Sequence, residues 1–206
     1  MGKEGRAAVR SADFAFAKFR HLQRVFLVHG HWFYVRTANL VQYFFYKNLL
    51  AFMMTQFYFA CFNRFSSQSI YDAINLALFN IVFTSVPILA YGLFEQNIPQ
   101  TELLENPKLY KQNAKNRLLQ VDQTLLWLVE GLFQSTVVFF AFYFLLSDST
   151  GFKSDMSSLE MTSFGVSVFT AIIIIANLRL LLHAKFWNVI LVIVVFLSIA
   201  VYFGFT

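Results

Sequence analysis

Lys47 is followed directly by Asn48, and the pair lies about ten residues into an apolar stretch that begins near residue 38. At 1.5 Å of helical rise per residue, that is roughly 15 Å of depth. A charge at the centre of a bilayer costs about 2.5–3.5 kcal/mol on insertion scales, so such a residue usually faces a polar cavity or a partner. Gln42 and Gln56 share the stretch, and a second one carries Asn75, Asn80, Thr84, Ser85 and Pro87. Pro87 has no N–H to donate, which can kink a helix and free a carbonyl one turn earlier, near Phe83 and a turn from Asn80. Two neighbouring apolar segments thus place polar groups at similar depth. The chemistry this allows is a polar path through the membrane. The competing reading is an interhelical hydrogen-bond cluster that only holds helices together. Lys47 points to the path, Asn80 fits either reading, and Gln42 and Gln56 fit packing.

Other chemistry finds little support. His29-Gly30-His31 superficially suits a membrane di-iron site, but such sites need several histidine boxes, and His-x-His puts its rings on different helix faces. With His21 and His183, these read as histidines flanking the membrane. Glu130 lies about a turn inside its apolar stretch and can snorkel outward, as can Arg179 and Lys185. The single Cys61 offers no internal disulfide and no metal cluster. No Walker loop, catalytic triad or zinc spacing is present. Arg6 stands where a myristoylation signal needs Ser or Thr.

The elements that must position Lys47 follow from composition. The chain has 206 residues, 58% hydrophobic and 19% aromatic, with 27 Phe and only 13% charged residues. A soluble domain carries about 25% charge. Five apolar stretches, about 38–62, 71–94, 124–146, 162–182 and 186–205, are each long enough for a hydrocarbon core about 30 Å thick. Backbone groups find no water there, so helices are expected. A barrel would alternate, whereas Ala171 to Ala176 is a continuous apolar run. The fold class expected is therefore all-α: a polytopic transmembrane bundle of about five spans behind a short cytoplasmic N-terminal segment. Residues 1–18 read as soluble, with a hint of a short strand in the alternation Asp13 to Phe19. Residues 19–37 read as an amphipathic stalk, with Phe19, Leu22, Phe26, His29 and Phe33 on one face. Residues 38–206 form the transmembrane domain. No secretory signal is visible, because the first 37 residues are too charged. In loop 95–123, Gln100 to Tyr110 reads as a surface turn and a short helix.

The formal net charge of +5 reflects basic loops and not a nucleic-acid partner. The lead-in is basic, loop 95–123 carries Lys108, Lys111, Lys115 and Arg117, and the turn near 183 is flanked by Arg179 and Lys185. The loop 63–70 holds only Arg64, and 147–161 sets Asp148, Asp155 and Glu160 against Lys153. Basic and non-basic loops alternate, so the positive-inside rule puts the N-terminus and loop 95–123 in the cytoplasm.

The block Val28-His29-Gly30-His31-Trp32-Phe33-Tyr34-Val35-Arg36, followed by Leu40-Val41-Gln42-Tyr43-Phe44-Phe45-Tyr46-Lys47-Asn48, closely resembles the type IV P-type ATPases, the phospholipid flippases. Asn80 to Pro87 resembles that family's sixth span, Pro107-Lys108-Leu109-Tyr110 its following loop, and Gly2-Lys3-Glu4-Gly5 the end of its phosphorylation domain. The His29 to Asn48 wording is most similar to an animal subgroup related to the eleventh class. Ala7 and Ala12 depart from the usual Gln and Ser. The resemblance implies that the five stretches are spans five to nine of a longer pump. The phosphorylated Asp of the Asp-Lys-Thr-Gly-Thr motif and the nucleotide-binding and actuator domains would lie upstream, and the tenth span downstream. It implies an ATP-driven translocase moving phosphatidylserine or phosphatidylethanolamine from the exoplasmic to the cytoplasmic leaflet. Mg2+ and ATP would serve the full-length protein, with none bound by this segment. It further implies an accessory β-subunit, a plasma-membrane, endosomal or Golgi setting, and a lipid-translocation role for Lys47, Asn48 and Asn80. The alternatives are a non-catalytic membrane scaffold or a small secondary transporter or channel.

Overall fold

The computed structural model describes residues 6–16, 18–147 and 158–205. Gly2 to Gly5, Asp148, Lys153 and Asp155 lie outside the described residues, as does the side chain of Glu160. A short helix α1 (Arg6–Ser11) precedes an irregular segment in which the Phe14 and Phe16 rings stack 6.3 Å apart. No strand forms at 13–19 among the described residues, which corrects the hint of one. A strand needs a paired edge, and the chain around it is helical.

From Arg20 to Phe62 the backbone is one unbroken helical rod. It comprises α2 (Arg20–Arg24), a π segment Val25–Gly30, α3 (His31–Asn48), a second π segment Leu49–Met54, and α4 (Thr55–Phe62). On the apolar face of the stalk Phe19, Phe26 and Phe33 are exposed, while Val28, His31 and Val35 are buried. The second apolar stretch is broken. Asp72 caps α5 (Ala73–Leu78), its carboxylate accepting from Ile74 N at 3.2 Å. A π segment, Phe79–Phe83, leads to Thr84 at φ −130°, and α6 (Ser85–Phe94) resumes beyond it. In the connecting loop, α7 (Gln100–Glu105), a 3-10 turn Pro107–Tyr110 and α8 (Lys111–Ala114) match the expected turn and short helix. Three apolar helices follow, two long ones, α9 (Val121–Ser147) and α10 (Ser158–His183), and the shorter α11 (Val189–Phe205). Asn188 caps the last of these, accepting from Ile190 N at 3.2 Å.

Ala73–Phe94, Val121–Leu146 and Met161–His183 are long and apolar enough to cross a membrane, and Val189–Phe205 is a shorter apolar helix. The architecture is an all-α membrane bundle. The rod packs on α9 and α6, and α10 fits between α9 and α11. Its core stacks aromatics from every layer, including Tyr43, Tyr46, Phe79, Phe83, Phe139 and Tyr202. Phe44, Phe45, Phe133 and Phe196 face outward, as lipid-facing aromatics do.

One close approach sets the position of α10. A Cβ built on Gly165 would lie 2.2 Å from the Ile70 carbonyl oxygen, a backbone atom that cannot rotate away. Gly165→Ala gains about 1 kcal/mol of helix propensity but meets an overpacking cost of about 1–3 kcal/mol. The expected result is a lower unfolding midpoint in a detergent titration. A midpoint equal to or above the native one would refute the close contact.

Candidate functional site

Lys47 lies in the last turn of α3, one residue before its end and two before the π segment 49–54, and is only 2% exposed. Its Nζ donates to Thr84 Oγ1 at 2.8 Å, and that hydroxyl donates in turn to Phe79 O at 2.7 Å. The ammonium also lies 5.5 Å from the Phe44 ring centre and 5.9 Å from that of Phe79. Aromatic faces attract a desolvated cation by about 2 kcal/mol. The lysine is thus turned into the gap between the rod and the broken second stretch. Thr84 is available there because its own segment departs from α geometry. π segments flank both residues, a distortion frequently found at functional sites.

The other two residues singled out in the sequence are placed differently. Asn48 is half-buried, and its Nδ2 donates to Phe44 O of its own helix at 2.9 Å. Asn80 is exposed, and its carbonyl accepts from the Ser85 hydroxyl. The structure therefore joins Lys47 to Thr84 and leaves Asn80 outside that hydrogen bond.

Sequence reasoning missed Asn177. Pro87 frees the Phe83 carbonyl, and the fully buried Asn177 of α10 donates to it at 3.2 Å, while also donating to Ile173 O at 3.0 Å. The signal available was an amide directly after the apolar run Ala171 to Ala176.

Glu130 and Arg179, expected to snorkel, instead pair with each other at 2.5 Å across α9 and α10. The guanidinium also lies 4.9 Å from the Trp127 ring centre. The two side chains lie within reach across neighbouring helices and are only part-buried, so each keeps some contact with its surroundings while the opposite charges meet. Gln134 donates to Glu130 at 3.4 Å and accepts from the Tyr46 hydroxyl, so the pair is linked to the residue beside Lys47. Gln42 and Gln56 act as packing residues. The first donates to Leu118 O at 2.5 Å and the second to Gln68 O at 3.3 Å.

At the loop 95–123 end, the rod is tied to the chain after α6. Arg24 donates to Gln100 at 2.9 Å, Trp32 Nε1 to Ile98 O at 2.9 Å, and Arg36 Nε to Glu95 O at 2.7 Å. His31 is buried beside Asn97, and burial pushes its pKa down. Glu95 Oε1 accepts from the backbone N–H groups of Lys185 at 3.0 Å and Phe186 at 3.3 Å, clasping the turn between α10 and α11.

Burial raises the Glu95 carboxyl above the ordinary range, against the opposing pull of those two N–H groups and of Arg36 and Lys185. A carboxyl raised in the fold contributes most stability below its unfolded pKa and loses it as pH rises through the folded value. Glu95→Gln keeps the oxygen that clasps 185–186 and removes the buried charge. It is expected to raise the melting temperature at pH 8, with the gain shrinking toward pH 4. A variant that melts below the native protein at pH 8 would show that the ionised form is favoured.

A buried lysine bonded across to a broken helix, inside an all-helical bundle, defines an integral membrane protein with a polar group in its core. Residues 9–206 match the family described as phospholipid-translocating P-type ATPase C-terminal, and the chain belongs to that family. It is 44% identical over its full length to a mouse protein named phospholipid-transporting ATPase 11C. It is 43% identical, also over its full length, to a human phospholipid-transporting ATPase IG. Over 99% of the chain it is 39% identical to a probable phospholipid-transporting ATPase 5 of Arabidopsis thaliana. The chain spans 18% of the first two of these relatives and 16% of the third.

Proposed function

We propose that the chain is the C-terminal transmembrane part of an ATP-driven flippase that moves aminophospholipid, phosphatidylserine or phosphatidylethanolamine, from the exoplasmic to the cytoplasmic leaflet. The observation that carries this reading is the Lys47 ammonium, buried at 2% exposure and bonded to Thr84 at the break in the second stretch. An ammonium has three N–H donors, and Thr84 takes one. The same group can answer the phosphate or carboxylate of a headgroup whose hydration is removed in the membrane. Asn48 and Asn80 flank it, half-buried and exposed, and serve in this reading as further polar contacts along the path.

ATP hydrolysis and Mg2+ belong, in this reading, to domains of the longer protein. Among the described residues no group of three or more His, Cys, Asp or Glu could hold a metal ion. The accessory β-subunit, the cytoplasmic placement of loop 95–123 and the plasma-membrane or endosomal and Golgi setting are parts of the same proposal. The test compares the 206-residue chain with the same chain joined to the upstream domains of a relative. Vanadate-sensitive, lipid-stimulated ATP hydrolysis and inward flipping of labelled phosphatidylserine are expected only in the joined protein. Lipid or ion flux through the chain alone would favour a self-contained transporter instead.

A further inference from the structure

A cavity of about 200 Å³ opens at the loop 95–123 end of the bundle, away from Lys47. Glu95, Asn97, Asn113 and Trp127 are among its walls, with Lys185 at its edge. Glu95 is 3% exposed, and with Oε1 engaged by the turn, its Oε2 has no hydrogen-bond partner. Asn97 Oδ1 is likewise buried and unpartnered. The Asn113 amide in the same wall is also without a hydrogen-bond partner, so three acceptors, one from a carboxylate, stand beside one N–H donor and call for a positively charged ligand rich in N–H donors that also carries an acceptor. Two cations accompany the carboxylate, Arg36 against the Glu95 carbonyl and the exposed Lys185. A bare inorganic cation would be repelled by both. A zwitterion would not, because its ammonium can meet Glu95 while its phosphate meets the lysine.

We propose that this cavity binds a phosphoethanolamine group, its primary ammonium received by Glu95 and Asn97 and its phosphate by Lys185. The group is that of a lipid headgroup or of the free phosphate ester. The site is separate from the Lys47 reading and stands without it.

The test is equilibrium binding of radiolabelled short-chain phosphatidylethanolamine to the purified protein in phosphatidylcholine nanodiscs. Glu95→Gln and, independently, Asn97→Leu should each weaken binding about tenfold or more, the size of one charge-assisted hydrogen bond. Short-chain phosphatidylcholine, which has no N–H donor, should bind the native protein no better than it binds Glu95→Gln. Competition by soluble phosphoethanolamine would assign the ester itself as ligand, and lack of competition would assign the membrane-anchored headgroup. Binding that is lost in Lys47→Ala and kept in both Glu95→Gln and Asn97→Leu would place the headgroup at Lys47 alone and overturn this site while leaving the flippase reading standing. Should Glu95→Gln not fold, Asn97→Leu, which leaves the clasp on 185–186 intact, decides alone. Equal affinity in native and variant proteins, or displacement by potassium chloride at equal concentration, would overturn the proposal.

Discussion

Lys47→Ala, placed in the full-length pump, is expected to raise the phosphatidylserine concentration for half-maximal ATP hydrolysis by about tenfold, the loss of one charge-assisted contact. The expectation follows from the packing. Among the described residues, the native ammonium is held by one hydroxyl and two aromatic faces, not by a carboxylate that would lock it in place. It can therefore exchange Thr84 for an anionic headgroup at small cost. Lys47→Arg should recover only part of the affinity, because a planar fork does not fit where a compact ammonium bonds a single hydroxyl between Phe44 and Phe79. Thr84→Val should have a milder effect, since it leaves the charge in place. The measurement is lipid-stimulated hydrolysis titrated at matched expression. Unchanged affinity and maximal rate in Lys47→Ala would reduce the lysine to a packing residue.

The second large effect concerns the amide that answers the proline. Asn177→Ala removes the donor to the Phe83 carbonyl and is expected to destabilise the bundle by about 1–3 kcal/mol, the cost of leaving a buried acceptor unmade. Pro87→Ala alone restores an N–H that can bond that carbonyl within the helix. The two changes should therefore not add. In a Pro87→Ala background, Asn177→Ala should cost appreciably less, and the coupling can be read from unfolding midpoints in a double-mutant cycle. Strict additivity would mean that Asn177 and the helix break are independent.

The sequence carried the all-helical membrane class and the inward-facing lysine, because hydropathy and the cost of a charge in lipid are local properties. It did not single out the partner: in a regular helix Asn80 and Thr84, four apart, share a face, so both stood as acceptors for Lys47. The π segment 79–83 shifts the register between them, so Thr84 turns inward while Asn80 stays exposed. No periodicity in the sequence announces that segment. Asn177 and the Glu130–Arg179 pair were hidden for another reason. Their contacts join residues far apart in the chain, 94 positions for Asn177 to Phe83 and 49 for the ion pair. The amphipathic face of the lead-in was legible, but not which side of it would be covered.

The unbroken helix from Arg20 to Phe62 is on the order of 60 Å long at 1.5 Å per residue. At its outer end it is moored to the chain beyond α6 through Arg24, Trp32 and Arg36. A lever pinned in this way cannot swing alone. Torque applied near Arg20 would be shared with α6, and the fulcrum would fall where both arms are mechanically weakest, at the paired π segments on either side of Lys47 and Thr84. Work delivered outside the membrane would then reach the place where Lys47 on one arm bonds Thr84 on the other.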